Sequence, residues 1–292
     1  MATPQQLAKA QQDGFDRLRR YDTTTDPEDL RSAADIWRWV ARETSDPGQR
    51  SFVLAAVSVA MRRYYYATEE LWALRDAVAS GRAAVQGETV FRWWLSACVY
   101  LGIATYTYFD ATQERAYLDE ALAVLRAARA VAADAHSRGE VLSHLGAALA
   151  VAWESLREET FLAEAVDIGR EAVQLPGPLR PISAVDLIRN LRDLGGVRDD
   201  VGLLRESESV ARWARRTRND GMRGSALFEL ARTLDAVAEK VTDPAVRAEA
   251  VAVGEASVEL ARDPAEHQLR TVVIDDIRRR LRNSPPEPDP AP

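Results

Sequence analysis

The chain has 292 residues, 47% hydrophobic and 28% charged, with a net charge of −7, a composition that fits a soluble globular protein of one long domain or two ordinary ones. The acidic balance works against a phosphate backbone, so nucleic acid is not expected as a partner. No stretch approaches the roughly 18 uninterrupted apolar residues of a membrane span.

In chain order, residues 1–11 form an N-terminal extension without the basic-then-apolar order of a signal peptide. From residue 12 the chain repeats itself. Ala77-Val78-Ala79-Ser80-Gly81-Arg82-Ala83-Ala84-Val85 returns as Ala165-Val166-Asp167-Ile168-Gly169-Arg170-Glu171-Ala172-Val173, and again as Ala250-Val251-Ala252-Val253-Gly254-Glu255-Ala256-Ser257-Val258. Looser copies start at Ala33, Ala121 and Ser207, which makes the spacings 44, 44, 44, 42 and 43 residues. The pairs Leu101-Gly102 and Leu145-Gly146 keep the same step.

Each period carries two apolar blocks, and both have helical spacing. Leu142, Leu145, Leu149 and Trp153 fall on one helical face, as do Leu118, Ala121, Leu122 and Leu125. Alanine, leucine, arginine and glutamate favour helix, and nothing shows the alternation of a strand. Turn signals separate the blocks: Thr25-Asp26-Pro27, Ser45-Asp46-Pro47, Asp110-Ala111-Thr112-Gln113, Pro176-Gly177-Pro178, Gly195-Gly196-Val197-Arg198, Asn219-Asp220-Gly221, Thr242-Asp243-Pro244 and Asp263-Pro264. The predicted units are 12–45, 50–86, 91–134, 138–175, 181–218 and 222–262, with a capping helix over 265–283 and a proline-rich, disordered tail over 284–292. A block of about 18 residues makes a helix roughly 27 Å long. Gly81, Gly169 and Gly254 recur in mid-helix, where glycine costs about 1 kcal/mol relative to alanine, so they predict close approach between the helices of a pair.

This pattern resembles tetratricopeptide repeats, in the degenerate long-period variety common in actinobacterial proteins and often found beside caspase-like (CHAT) peptidase modules. The Leu-Gly pairs match the family's first helix. The alanines seven apart, Ala77 with Ala84, Ala165 with Ala172 and Ala121 with Ala128, match its second. The segment Tyr21-Asp22-Thr23-Thr24-Thr25-Asp26-Pro27-Glu28-Asp29-Leu30 is also typical of the long type. The resemblance covers roughly residues 12–283. It implies an all-α, right-handed α-solenoid of about six antiparallel helix pairs plus the capping helix, whose concave face, lined by first helices, holds a peptide or protein segment.

Candidate chemistry is sparse. Cys98 is the single cysteine; it excludes an internal disulfide framework and fits a reducing, cytoplasmic compartment. It lies in an apolar run without a nearby histidine to activate it, so it reads as a buried hydrophobe. Glu140 and His144 share one helical turn but lack the further ligands of a metal site. Glu158-Glu159, Asp199-Asp200 and Asp275-Asp276 read as solvated faces, and so does Arg278-Arg279-Arg280. Gly221-Met222-Arg223-Gly224 imitates an RNA-binding loop and is expected to be an inter-repeat turn. No phosphate loop, nucleophile elbow or paired-cysteine motif is present. No catalysis, cofactor or metal is expected. The seven tryptophans read mainly as core; adjacent Trp93 and Trp94 cannot both face one side of a helix.

With the Leu-Gly pair as a ruler, residues two positions after the leucine (Ile103, Ala147, Arg189, Arg232), five after it (Arg62, Tyr106, Ala150, Arg192, Asp235) and six after it (Arg63, Thr107, Val151, Asp193) face inward. The predicted groove is therefore Arg62, Arg63, Tyr66, Tyr106, Arg189, Arg192, Arg232 and Asp235, suited to an acidic segment or a carboxylate terminus. The plainer reading is that these arginines pair with local carboxylates. The leading function is a non-catalytic scaffold or adaptor. A small-molecule enzyme or sensor built in a helical cavity and an oligomerising structural subunit are the alternatives.

Overall fold

The computed structural model describes residues 2–87 and 91–283. The expected disorder of the tail lies outside these residues. All regular structure among them is helical: α1 (Pro4–Thr24), α2 (Pro27–Glu43), α3 (Pro47–Thr68), α4 (Leu71–Gly87), α5 (Phe91–Thr112), α6 (Arg115–Val131), α7 (Ala135–Leu156), α8 (Glu159–Ala172), α9 (Arg180–Arg198), α10 (Val201–Ala214), α11 (Asp220–Val241), α12 (Pro244–Val258) and α13 (Pro264–Arg282).

Helix starts follow local chemistry. Asp26, Asp46, Asp243 and Asp263 each cap a helix whose next residue is proline, so one side chain satisfies a free N–H while the ring occupies a position that needs no donor. The first helix begins at Pro4, eight positions before the predicted repeat, because Thr3 and Gln6 close a capping box over it. The odd-numbered helices from α1 to α11 run 19 to 22 residues and the even-numbered ones 14 to 17, so the two blocks are unequal rather than matched.

The long helices from α1 to α11 end in a residue held in the left-handed region: Thr25, Glu69, Gln113, Arg157, Asp199 and Thr242, with φ between 54° and 60°. One more residue follows each before the next helix begins. These turns are 44, 44, 44, 42 and 43 residues apart, the same spacings as the alanine-glycine register. The predicted turn at Gly195-Gly196-Val197-Arg198 is instead the last turn of α9, and the chain reverses at Asp199. The Gly221–Gly224 segment lies in the first turn of α11, where Gly224 leaves room for the Arg270 guanidinium.

The helices gather into two compact units, residues 1–156 and 157–292. In the first, α1 to α7 pack in sequence, and α5 also lies against both α3 and α7. In the second, α8 to α13 do the same, with α11 against both α9 and α13. Each unit is thus two rows of helices, with the long ones nearer to one another. The first unit's core is built on Leu30, Trp37, Val57, Met61, Leu74 and Leu101. Trp37 is fully buried and donates its indole N–H to the Gln11 carbonyl at 3.2 Å. Asp29, also buried, accepts from Arg17 at 3.2 Å and Arg20 at 2.8 Å, which locks α1 to α2. The second unit is filled by Leu162, Leu187, Leu191, Leu230, Leu234 and Ile274.

The recurring glycines make a different contact from the one expected. A β-carbon at Gly81 would lie 3.1 Å from the Leu101 Cα, and one at Gly169 would lie 3.0 Å from Leu187 Cδ1. Gly254 faces Ile274 in the same way. These glycines admit the next long helix, so they set the spacing between successive pairs. Approach within a pair depends on Gly102, where a β-carbon would strike Leu125. The short helices carry a second periodic contact. Arg38 pairs with Asp76 and Arg82 with Glu120 in the first unit; Arg170 pairs with Glu206 and Arg212 with Glu249 in the second. These half-exposed pairs contribute at most about 1 kcal/mol each, but they fix which neighbour stacks where.

Candidate functional site

On the long-helix row of the first unit, α3 presents Phe52, Ala56, Val59, Arg62, Arg63 and Tyr66 at helical spacing. An apolar cleft of about 220 Å³ opens there, walled by Phe15, Trp37, Phe52, Trp93 and Tyr100, with Ser96 its one hydroxyl besides Tyr100. Phe52 meets Phe15 at 5.9 Å and Trp93 edge-on at 4.9 Å between ring centres. Trp93 is 36% exposed, whereas Trp94 turns away into a cluster with Leu95 and Cys98. The adjacent pair therefore splits between surface and interior. Trp72 and Trp213 are exposed as well, so the tryptophans are less confined to the core than the sequence implied.

Next along this row lie Arg62 and Tyr66. Tyr66 is 59% exposed, with its hydroxyl 3.4 Å from Thr107 Oγ1. The Arg62 guanidinium sits 5.6 Å from the Tyr66 ring centre and makes no ion pair with a carboxylate among the described residues. Its charge reaches α5 and α7. Burial pushes the Tyr100 phenol up, Glu140 adds to this, and Arg62 partly offsets it. Burial and then Arg62 bring the His144 imidazole down to about 4, so His144 is neutral at neutral pH. Arg63 is committed elsewhere: it pairs with Asp22 and lies 4.8 Å over the Tyr21 ring. Tyr106 is half-buried and packs against the Cys98 cluster.

The equivalent row of the second unit is closed by ion pairs. Arg192 is 7% exposed and bonded to Glu229 and to Asp193, the latter at 2.9 Å. Burial opposes ionisation of Glu229, which is 6% exposed, yet Arg192 and Arg232 outweigh burial and hold its carboxyl below the usual range. Arg189 pairs with Asp186 at 3.2 Å and Arg232 with Glu229 at 3.3 Å. Asp235 accepts from Arg247 at 3.0 Å and Arg280 at 2.6 Å. Arg189, Arg192, Arg232 and Asp235 lie on the long helices α9 and α11, and Arg192 and Asp235 are buried inside a satisfied network.

Other sequence candidates have settled partners. Arg278 pairs with Glu255 at 2.6 Å and Arg279 with Asp276 at 3.3 Å; Glu159 pairs with Arg198 at 2.8 Å and Asp199 with Lys240 at 2.5 Å. Cys98 is buried, which pushes its thiol up to about 12. No group of three histidine, cysteine, aspartate or glutamate side chains is placed to hold a metal among the described residues. No described helix is long and apolar enough to cross a membrane. The sequence reading missed the aromatic cleft. Its signal was available, since Phe52, Ala56 and Val59 stand one turn apart on the same face as Arg63 and Tyr66.

No family model matches the chain, and no curated protein matches it. Solved structures do. The nearly identical TPR-like repeats of a putative kinesin light chain from Podosopora anserina, in a point variant, align with 74% of this chain and 100% of theirs at 18% identity and a TM-score of 0.50. The S. pombe nuclear import adaptor Nro1 aligns over 98% and 95% at 14% identity and a TM-score of 0.45. A Rap protein complexed with competence and sporulation factor aligns over 98% and 78% at 10% identity and a TM-score of 0.43. At such identities the likeness concerns fold alone: this is an all-α, tetratricopeptide-like helical-repeat chain.

Proposed function

We propose that the chain is a protein-interaction scaffold without catalysis of its own, and that it seats a partner's peptide segment on the long-helix row of its first unit. The observation that carries this reading is the cleft walled by Phe15, Phe52, Trp93 and Tyr100, continued by exposed Tyr66 and by Arg62, which rests on an aromatic face. Rigid aromatic walls bury a large apolar side chain at low entropic cost, and a guanidinium beside them supplies charge-assisted bonds. The fitting ligand has one large apolar anchor followed along the row by a carboxylate. An enzyme or sensor would need polar groups converging on its cavity, and Ser96 and Tyr100 are the only hydroxyl-bearing side chains in this lining. The resemblance to long-period repeats makes a caspase-like peptidase acting in trans one partner class to test.

A displayed peptide library panned on the full chain tests the reading. Recovered peptides should share an aromatic or long aliphatic residue near an acidic one. They should lose at least about tenfold in affinity for Ala56→Trp, which fills the cleft, and for Arg62→Gln. Failure to enrich any such peptide, or binding to either variant as tight as to the unsubstituted chain, would end the proposal.

A further inference from the structure

A second feature lies wholly in the second unit, at the junction of the α8–α9 linker with the end of α10. A pocket of about 250 Å³ is lined there by Gly177, Arg180, Pro181, Trp213, Arg216 and Thr217, with no carboxylate in its lining. Trp213 is 40% exposed, and the Arg180 guanidinium lies over its ring, 4.7 Å from the centre. Arg180 is held in place because its Nε donates to the Val173 carbonyl at 2.7 Å. Its two terminal nitrogens remain outside that bond. Arg215 and Arg218 flank Arg216 in the run Arg212-Trp213-Ala214-Arg215-Arg216-Thr217-Arg218.

The unusual point is the lack of compensation. Arg170, Arg192, Arg205, Arg212, Arg223 and Arg232, in the same unit, all sit within ion-pair distance of a carboxylate. No such pair forms at Arg180, Arg216 or Arg218 among the described residues, and Arg215 has only a longer-range attraction to Glu249, although the chain as a whole carries −7. The C-terminal end of α10 attracts cations through its dipole, which accounts for Arg215 and Arg216. It does not account for Arg180, the first residue of α9, where the helix dipole disfavours a positive charge. A guanidinium stacked on tryptophan keeps its N–H edge available for a planar anion.

We infer that Arg180, Trp213 and Arg216, with Arg215 and Arg218 beside them, form a second docking site that takes an acidic peptide segment of a partner protein. Carboxylates complete the bonds that the guanidiniums lack, and an apolar stem rests against Trp213. Net acidity disfavours a nucleic-acid strand, whose charge would be repelled away from this one patch. This site and the aromatic cleft stand on different units and different residues, so either can fail without the other.

The test uses the full chain and a fluorescein-labelled peptide in which glutamate alternates with alanine, followed by anisotropy and by tryptophan emission at near-physiological salt. Arg216→Glu and Arg180→Gln should each weaken binding by about tenfold or more, while Lys9→Glu, an exposed charge change in the first unit, should alter it less than about twofold. Trp213→Phe should fold normally and bind, but lose the emission change caused by the peptide. The inference is overturned if the peptide does not bind, if Lys9→Glu loses as much as Arg216→Glu, or if a single-stranded oligonucleotide of equal charge binds as tightly and displaces the peptide.

Discussion

The two units put one repeat register to different uses. At matching positions the first unit places Val59, Ile103, Arg62 and Tyr106, and the second places Arg189, Arg232, Arg192 and Asp235. In the first unit the row is mainly apolar and aromatic, and a cleft lies among its rings. In the second the charges satisfy each other across α9, α11, α12 and α13. The contrast shows that a position on the long-helix row is not by itself open to a ligand. What matters is whether the side chain already has its partner. A buried ion network returns little net stability after desolvation, so its value lies in fixing which helices pair.

The sharpest way to break the comparison is to leave a charge stranded. Arg192→Ala should destabilise the second unit by about 3–5 kcal/mol, read by urea unfolding, because Glu229 stays buried without its main partner. Replacing Arg192 and Glu229 together by leucine should restore most of that loss. If the single variant were neutral, the network would be ornamental.

His144 offers a comparable probe of the first unit. Its folded value, about 4, lies below the ordinary 6.5, so between those values the unfolded chain binds the extra proton. Stability should therefore fall as pH drops from about 6.5 to about 4, by up to roughly 3 kcal/mol, and level off below. A His144→Gln variant should lose this pH dependence. An unchanged profile would place the imidazole in solvent.

The packing register predicts matched costs in both units. Gly81→Leu and Gly169→Leu should each lower stability by about 1–3 kcal/mol, since both intrude on the following long helix. A neutral melting temperature in either would contradict the register. The smallest effect belongs to the left-handed turns: Glu69→Gly should stabilise by about 0.5 kcal/mol, as relief of the side-chain penalty slightly exceeds glycine's entropic cost.

The helical class and the period were legible because burial forces apolar residues into a fixed spacing that a single sequence displays. Turn positions were less so. Proline-marked starts such as Asp26-Pro27 and Asp46-Pro47 announce themselves, but the reversing residues are threonine, glutamate, glutamine, arginine and aspartate, which share a conformation and no side-chain chemistry. The Arg38, Arg82, Arg170 and Arg212 contacts recur on the period and could have been found by aligning charges instead of apolar residues. The partnering of Arg192 with Glu229 spans a similar distance, 37 residues, but the matching positions Arg62, Tyr106 and Asp235 do not repeat that arginine-to-glutamate contact, so no recurrence marks it.

Amide hydrogen exchange on the full chain, with and without a library-selected peptide, tests the central claim most directly. The account predicts slowed exchange over α3 and α5, strongest around residues 52–66 and 93–107. Protection confined to other helices, or none with the peptide bound, would contradict it.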